Sequence, residues 1–252
     1  MKRLAVFASG RGSNFKAIIS HEKLRVLQNV QVSLLITNDP DAAASSIAEQ
    51  NSIPHVYLEG TWRRKFSNKN EREMARERFD RGALEVLKKF RIDVIALAGF
   101  MQVLGPTIVR AYPNAVMNIH PATNLMKFGG PGMFGNRVHE AVLREGEKES
   151  GCTVHYADES VDGGPVILQS IVPVETTDTP ETLAERILVQ EHRTYSKALQ
   201  LHVDDRISVK EHRAIVDYSG GWEEGWNRRQ EAFIQYQTGR PTNSGELLAQ
   251  SI

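Results

Sequence analysis

Leu4-Ala5-Val6-Phe7-Ala8 runs directly into Ser9-Gly10-Arg11-Gly12-Ser13-Asn14, and these eleven residues decide the fold. A short, continuous apolar run bounded by glycine reads as a strand buried on both faces. The apolar run is too short for a signal peptide and stops at the glycines. Residues 14–21 then look helical. The glycines allow a tight strand-to-helix turn, and the free amides at a helix start can hold a phosphate, with the Ser13 hydroxyl and the Asn14 amide as extra donors. The dinucleotide fingerprint is incomplete, because Phe15 stands where a third glycine belongs, and the Gly-Lys-Ser/Thr end of a nucleotide P-loop is missing. On its own residues the segment is either a phosphate cradle or a bare turn.

The pattern repeats outward from this unit. Residues 30–36, 53–57, 93–98 and 115–119 read as further buried strands. Helical patterns at 41–50 and 71–90 lie between them, the second with Phe79, Ala83, Val86 and Phe90 on one face. Such alternation predicts an α/β fold with a Rossmann-like, mostly parallel sheet and right-handed crossovers. Beyond Pro121 the pattern changes. Residues 127–135 read as a glycine-rich loop, 139–144 as a helix, and 151–156 and 165–174 as paired strands joined across 158–164. Thr179 caps a long helix to about Leu201, with Pro180 in its first turn. From Asp205 the chain turns polar.

The 252 residues carry 31 Lys or Arg and 31 Asp or Glu, so the formal net charge is zero. That balance provides no global field to attract a nucleic acid polymer or an anionic membrane. Hydrophobic residues at 40% and charged residues at 25% are ordinary globular usage and exclude disorder as the main state. No run approaches the ~20 apolar residues of a membrane span. The single cysteine, Cys152, allows no internal disulfide and no cysteine-based zinc cluster, and it points to a reducing, cytoplasmic setting. It lies in a predicted strand and reads as a small core residue. No metal-ligand spacing and no Gly-x-Ser-x-Gly elbow occurs, so no metal is expected.

Four further features bear on chemistry. In Asn118-Ile119-His120-Pro121, alternation puts Asn118 and His120 on one side of a strand end. An amide beside an imidazole can hold an oxyanion and move a proton, or it can be a satisfied buried pair. Asp162-Gly163-Gly164-Pro165 is a turn that gains meaning if Asp162 faces His120, because a carboxylate raises the pKa of a nearby imidazole. Gln190-Glu191-His192 reads by itself as a solvated helix face. The segment 61–91 has eleven Lys or Arg against five Asp or Glu. Much of it is a solvated helix face, from which an arginine can reach a phosphate. His21, His55, His202 and His212 read as structural or surface residues.

Together these pieces resemble the folate-dependent glycinamide ribonucleotide formyltransferase family. The matching segments are 7–14, Leu97-Ala98-Gly99-Phe100-Met101-Gln102-Val103-Leu104, Asn118-Ile119-His120-Pro121, Asp162-Gly163-Gly164-Pro165-Val166-Ile167 and Gln190-Glu191-His192. The resemblance runs from residue 1 to about Leu201. It implies formyl transfer from 10-formyltetrahydrofolate to the amine of glycinamide ribonucleotide, with the folate as co-substrate. It further implies Asn118, His120 and Asp162 as the catalytic trio, with His120 acting as imidazolium. Gly12, Ser13 and Asn14 become the substrate phosphate cradle, helped by Arg76. Pro121 and Glu191 join the substrate side. Met101, Gln102, Val103 and Leu104 become a wall of the folate pocket, and Ala157, Asp158, Glu159 and Val161 the loop closing over the pterin. The expected partners are a small phosphorylated amine and folate, with the protein a monomer or a homodimer.

Two departures stand out. Ser-Leu-Leu-Pro usually follows the His-Pro pair, whereas here the chain reads Ala122-Thr123-Asn124-Leu125 and continues through extra glycines to Gly135. Gln102 stands where arginine is frequent. The departures keep other acceptors in view: another amine such as an amino sugar nucleotide, or water. The hydrolases that use water usually carry an N-terminal regulatory domain, and this sequence opens on the first strand. A non-catalytic binding module has no use for the trio. The expected division is a catalytic domain at 1–204 and a partly helical extension at 205–252, with Trp222, Trp226, Phe233, Ile234 and Tyr236 packing on the core or on another subunit.

Overall fold

The computed structural model describes residues 1–238. In chain order the first half contains β1 (Lys2–Phe7), α1 (Ser13–Lys23), β2 (Val30–Thr37), α2 (Ala43–Gln50), β3 (His55–Tyr57), α3 (Lys69–Lys89), β4 (Val94–Leu97), α4 (Pro106–Ala111) and β5 (Val116–His120). The second half contains α5 (Leu125–Phe128), α6 (Asn136–Arg144), β6 (Glu149–Tyr156), β7 (Val166–Pro173), α7 (Pro180–Val203), the hairpin β8 (Ile207–Lys210) and β9 (Arg213–Val216), and α8 (Trp222–Thr238).

Seven strands form one sheet in the order β3-β2-β1-β4-β5-β6-β7. The pairs from β3 through β5 are parallel, while β6 and β7 add antiparallel. The expected mostly parallel α/β sheet is what the chain forms. Two apolar layers sandwich it. On one face Leu4, Val6, Val94, Ala96, Met117 and Ile119 pack against α1, α2, α6 and α7. On the other, Ala5, Phe7, Ile95, Leu97 and Val116 pack against Phe79, Ala83 and Leu87 of α3 and Ile108 of α4. This two-sided burial is why β1 and β4 are apolar without alternation. The Tyr195 hydroxyl on α7 lies 3.1 Å from the Leu97 carbonyl and 2.9 Å from the Met117 carbonyl, anchoring that helix to β4 and β5.

The topology sets the ligand crevice. From β1 the chain steps one way to β2 and β3, then returns to β4 and β5 on the other side. The loops after β1 and β4 therefore diverge, and α/β sheets bind ligands at such a point. Ser9 ties the strand ends together: its hydroxyl donates to Asn38 at 2.6 Å and accepts from the Met101 amide at 2.8 Å.

Several boundaries shift from the sequence expectation. The helix expected at 41–50 begins at Ala43, and α3 begins at Lys69, where Asn68 caps the Glu71 amide at 2.9 Å. The expected glycine-rich loop starts inside α5, and α6 begins at Asn136. The polar stretch after Asp205 folds as the β8–β9 hairpin, whose strands alternate between partly buried and exposed residues. Trp226 of α8 is 3% exposed in the main core, Trp222 stacks on it, and Phe233 packs edge-on against His21. Trp222, Trp226 and Phe233 thus pack on the core, whereas Tyr236, expected to do so, is 74% exposed near the end of α8; residues 239–252 lie outside the described residues.

Candidate active site

The chemistry-bearing residues gather at the C-terminal edge of the sheet. Asn118 and His120 share the side of β5 opposite Met117 and Ile119, as alternation requires. Pairing with β6 sets His155 directly across from Asn118 and Thr153 across from His120. The turn between β6 and β7 brings Asp162 over this patch, its backbone in the left-handed region at φ 55°. A non-glycine residue held there is conformationally costly and is retained where surrounding contacts fix it.

The contacts interlock. The Asn118 amide nitrogen lies 3.2 Å from Asp162 Oδ1 and 3.2 Å from His155 Nε2. His155 Nδ1 donates to the Tyr156 carbonyl at 3.0 Å, so in the neutral ring Nε2 is an acceptor for Asn118. Both Asn118 amide hydrogens are then engaged in the ligand-free arrangement. His120 Nε2 lies 2.7 Å from the Phe128 carbonyl, which can only accept, so Nε2 carries the proton. The nitrogen free to gain or lose a proton is Nδ1, 3.6 Å from Asp162 Oδ2. The Gly130 amide donates to that same oxygen at 2.9 Å. The departing loop therefore supplies a backbone anchor for each of His120 and Asp162. Gly129 is forced there: a Cβ would sit 2.5 Å from the Leu125 carbonyl oxygen.

Burial dominates the titration of His120, pushing its pKa below the usual imidazole value despite the opposing pull of Asp162 and the Phe128 carbonyl. The imidazolium expected from sequence is therefore not the resting state; desolvation outweighs one carboxylate that is not in hydrogen-bond contact. Asp162 is also desolvated, but His155, His120 and the Gly130 amide outweigh burial and hold its carboxyl below the ordinary value. His139 on α6 is buried, 4% exposed, and its pKa falls to about 4, mostly through desolvation and secondarily through His120.

The strand-to-helix turn places Gly12 at φ 70° and ψ 26° as the cap of α1. A Cβ there would also meet Ala44 at 3.0 Å, so the position demands glycine twice over. Asn14 Nδ2 donates to Glu191 Oε2 at 2.7 Å. Burial raises the Glu191 pKa, opposed by Asn14 and by the charge of Arg11. The cradle and the late helix, 177 residues apart, are thus joined. Arg76 lies elsewhere, beside Asp80 and Gly105 and next to Leu104 at the end of the expected folate wall.

The two segments expected to hold the folate border one apolar cluster, which contains Leu97 and Leu104 and has Phe100 and Ala157 packed against it. Val103 and Val161 remain 40% and 37% exposed, apolar surface suited to a flat ring. Gln102 instead turns inward: 5% exposed, it accepts from the Thr61 amide at 2.6 Å. Met101's amide is already taken by Ser9. Glu159 pairs with Arg110 on α4 at 2.7 Å, and Asp158 caps Ser160. Pro121 follows directly on His120, partly buried. Cys152 is fully buried with its thiol pushed up to about 12 by desolvation, as a core residue should be. Sequence reasoning missed His155 and Arg11. His155 shares the face of Thr153 in its strand, but only the β5–β6 register shows that this face meets Asn118. Among the described residues no group of three or more His, Cys, Asp or Glu is arranged to hold a metal ion, and no helix is long and apolar enough to cross a membrane.

Comparison with known proteins places this geometry. A family model described as formyl transferase matches residues 2–199. The phosphoribosylglycinamide formyltransferase of Arabidopsis thaliana chloroplasts is 37% identical over 211 residues, covering 83% of this chain and 68% of that protein. The phosphoribosylglycinamide formyltransferase of Bacillus subtilis is 36% identical over 200 residues, covering 79% and 94%. The crystal structure of glycinamide ribonucleotide transformylase 1 from Symbiobacterium toebii superposes with a TM-score of 0.74 at 30% identity, covering 86% of this chain and 94% of that one.

Proposed function

The chain belongs to the formyl transferase family, and on that premise we propose that it moves the formyl group of 10-formyltetrahydrofolate to the amine of glycinamide ribonucleotide in purine biosynthesis. The observation that carries the reading is the interlocked set of Asn118, His120, His155 and Asp162 at the end of β5. The substrate amine attacks the formyl carbon directly, so no protein nucleophile is required. A C–N bond forms while the formyl oxygen gains charge. Asn118 turns one amide hydrogen from Asp162 or His155 to that oxygen. Neutral His120 takes the surplus amine proton at Nδ1, and Asp162 stabilises the resulting imidazolium. The same nitrogen returns the proton to the folate nitrogen as the C–N bond to folate breaks. His120 ends neutral, and the protons balance.

The remaining residues bind and orient. Gly12, Ser13 and Asn14 take the phosphate of the amine substrate, and Glu191, fixed by Asn14, holds its ribose or glycinamide end beside Pro121. Met101, Val103 and Leu104 with Ala157, Asp158, Glu159 and Val161 enclose the folate ring, while the Gln102 side chain faces away to Thr61. Arg76, at the Leu104 end of that wall, supplies positive charge near the crevice. The reaction class calls for positioning two substrates more than for covalent chemistry. The protein works in the cytoplasm as a monomer or a homodimer.

The test is a panel assay of the purified protein with 10-formyltetrahydrofolate. Glycinamide ribonucleotide, amino sugar nucleotides and water alone are offered in parallel. Formylation of glycinamide ribonucleotide well above the rate with water is expected. Turnover confined to an amino sugar nucleotide, or to water, overturns the proposal.

A further inference from the structure

We propose that His212, at the tip of the β8–β9 hairpin, is a positioning residue that latches the loop carrying Asp162. This rests on the assignment of Asp162 to the formyl-transfer site. The loop from Ala157 to Gly163 arches out of the sheet between β6 and β7, and Glu159, Ser160, Val161 and Gly163 are exposed. At its base the Ala157 amide donates to the Val116 carbonyl, and Asp162 is held through its side chain by Asn118 and Gly130; the outer part has only Asp158 capping Ser160 and an exposed pair from Glu159 to Arg110 on α4. Exposed ion pairs of that kind contribute little rigidity.

The hairpin supplies a hold from a different element. Glu211 and His212 form its tip, both in the left-handed region at φ 48° and 62°. This turn projects the His212 ring so that Nε2 lies 2.9 Å from the Gly163 carbonyl oxygen and 3.6 Å from Asp158 Oδ2. A carbonyl only accepts, so His212 donates through Nε2. The acceptor is the residue directly after Asp162, whose own backbone is strained. That carbonyl belongs to the Gly163–Gly164 peptide, so His212 acts on Asp162 through the backbone of Gly163: fixing this peptide limits how far Asp162, and its contact to His120, can shift. β9 is braced in turn against β7, so the latch is anchored to the sheet. The hairpin lies beyond residue 204, within what sequence reads as an extension. On this view the extension completes the active site by acting on one peptide of a catalytic loop.

The test compares His212→Ala and His212→Gln in the full chain, measuring kcat, KM for both substrates and the melting temperature. His212→Gln keeps an N–H donor at similar reach. For His212→Ala we expect kcat to fall and KM for 10-formyltetrahydrofolate to rise, each roughly two- to tenfold, the range for one hydrogen bond. KM for the amine substrate and the melting temperature should stay unchanged, and His212→Gln should recover most of the loss. Parent-like kinetics in His212→Ala overturn the latch. Equal impairment in His212→Gln, or a shared fall in melting temperature with unaltered kinetics, overturns it too. An inactive parent protein would instead overturn the formyl-transfer assignment, so the two failures are distinguishable.

Discussion

Asp162→Asn isolates the charge that the proposed mechanism requires beside His120. The substitution keeps size and one acceptor oxygen, so the Gly130 amide retains a partner. What disappears is a negative charge 3.6 Å from His120 Nδ1. With an effective dielectric of about 20, a unit pair at that distance is worth about 4–5 kcal/mol, which is about three pKa units at 1.36 kcal/mol per unit. Solvent reaches the Asp162 side chain, which is 13% exposed, and screens part of this. The expected fall in kcat is therefore about a hundred- to a thousandfold. The loss belongs to the step in which His120 carries the proton, because burial already holds the resting ring neutral.

The pH dependence sharpens the test. In the parent, kcat/KM should fall on acidification through a His120 pKa below the ordinary imidazole value, since the neutral ring is the active form. In Asp162→Asn that limb should move to still lower pH, because the charge that raised the pKa is gone. The plateau should drop at the same time. Initial rates across roughly pH 5 to 9 separate these effects. Binding of both substrates should change little, so KM stays near parent values. A variant that keeps more than a third of parent turnover, or whose acid limb moves to higher pH, would refute the role given to Asp162.

Four further outcomes follow from the same geometry. His120→Ala should remove nearly all formyl transfer while the circular dichroism spectrum and melting curve stay parent-like; near-normal turnover would remove His120 from the mechanism. Glu191→Gln should raise KM for the phosphorylated amine about tenfold with kcat nearly unchanged, because it loosens the Asn14 tie without touching Nδ1; an equal effect on folate KM would argue against the substrate-side assignment. Asp80 is fully buried, neither oxygen makes a hydrogen bond of good geometry, and desolvation pushes its pKa up to about 6 despite the nearby Gly105 and Ile108 amides. Its ionisation costs stability as pH rises from about 4 to about 6 and is fully felt above, at about 3 kcal/mol. Asp80→Asn should melt several degrees above the parent near neutral pH, and the gap should close near pH 4; a gap independent of pH would contradict this. Gly12→Ala should destabilise by about 1–3 kcal/mol, from the left-handed backbone and the clash with Ala44, measured by urea unfolding; a stability change below about half a kcal/mol would mean the turn can relax.

What sequence made legible was local. A five-residue apolar run before glycine and a helical pattern requires only neighbours to interpret, and β1, its turn and α1 fold accordingly. Asn118 and His120 were legible for the same reason, since alternation within one strand puts them together. His155 was not, because its place opposite Asn118 depends on the register between β5 and β6. Glu191 looked like a solvated helix face, since its partner Asn14 lies 177 residues away. Burial also decides matters that residue types leave open. Gln102, expected to face the folate, turns inward to Thr61, and His120 rests neutral. The β8–β9 hairpin is hidden in a polar stretch because its alternation runs for only four residues in each strand, too short to stand out from the charged residues around it.

The most informative departure is the loop after the His-Pro pair. Its side chains differ from the pattern the rest of the chain follows, which puts acceptor specificity in question. Its contacts with the proposed catalytic groups, however, are made by backbone atoms: the Phe128 carbonyl on His120 and the Gly130 amide on Asp162. Ala122 and Phe128 are buried in the core and Asn124 caps α5, but an exposed side chain such as Met126 is free to vary while those two groups hold their places. What cannot vary is the path, and Gly129 marks where it is tightest, with the Leu125 carbonyl 2.5 Å from any added Cβ and Asp162 Cβ at 3.2 Å. The backbone contacts to His120 and Asp162 are therefore separable from the exposed surface of this loop, so on the proposed reading a change of acceptor there need not alter the proton transfer assigned to His120.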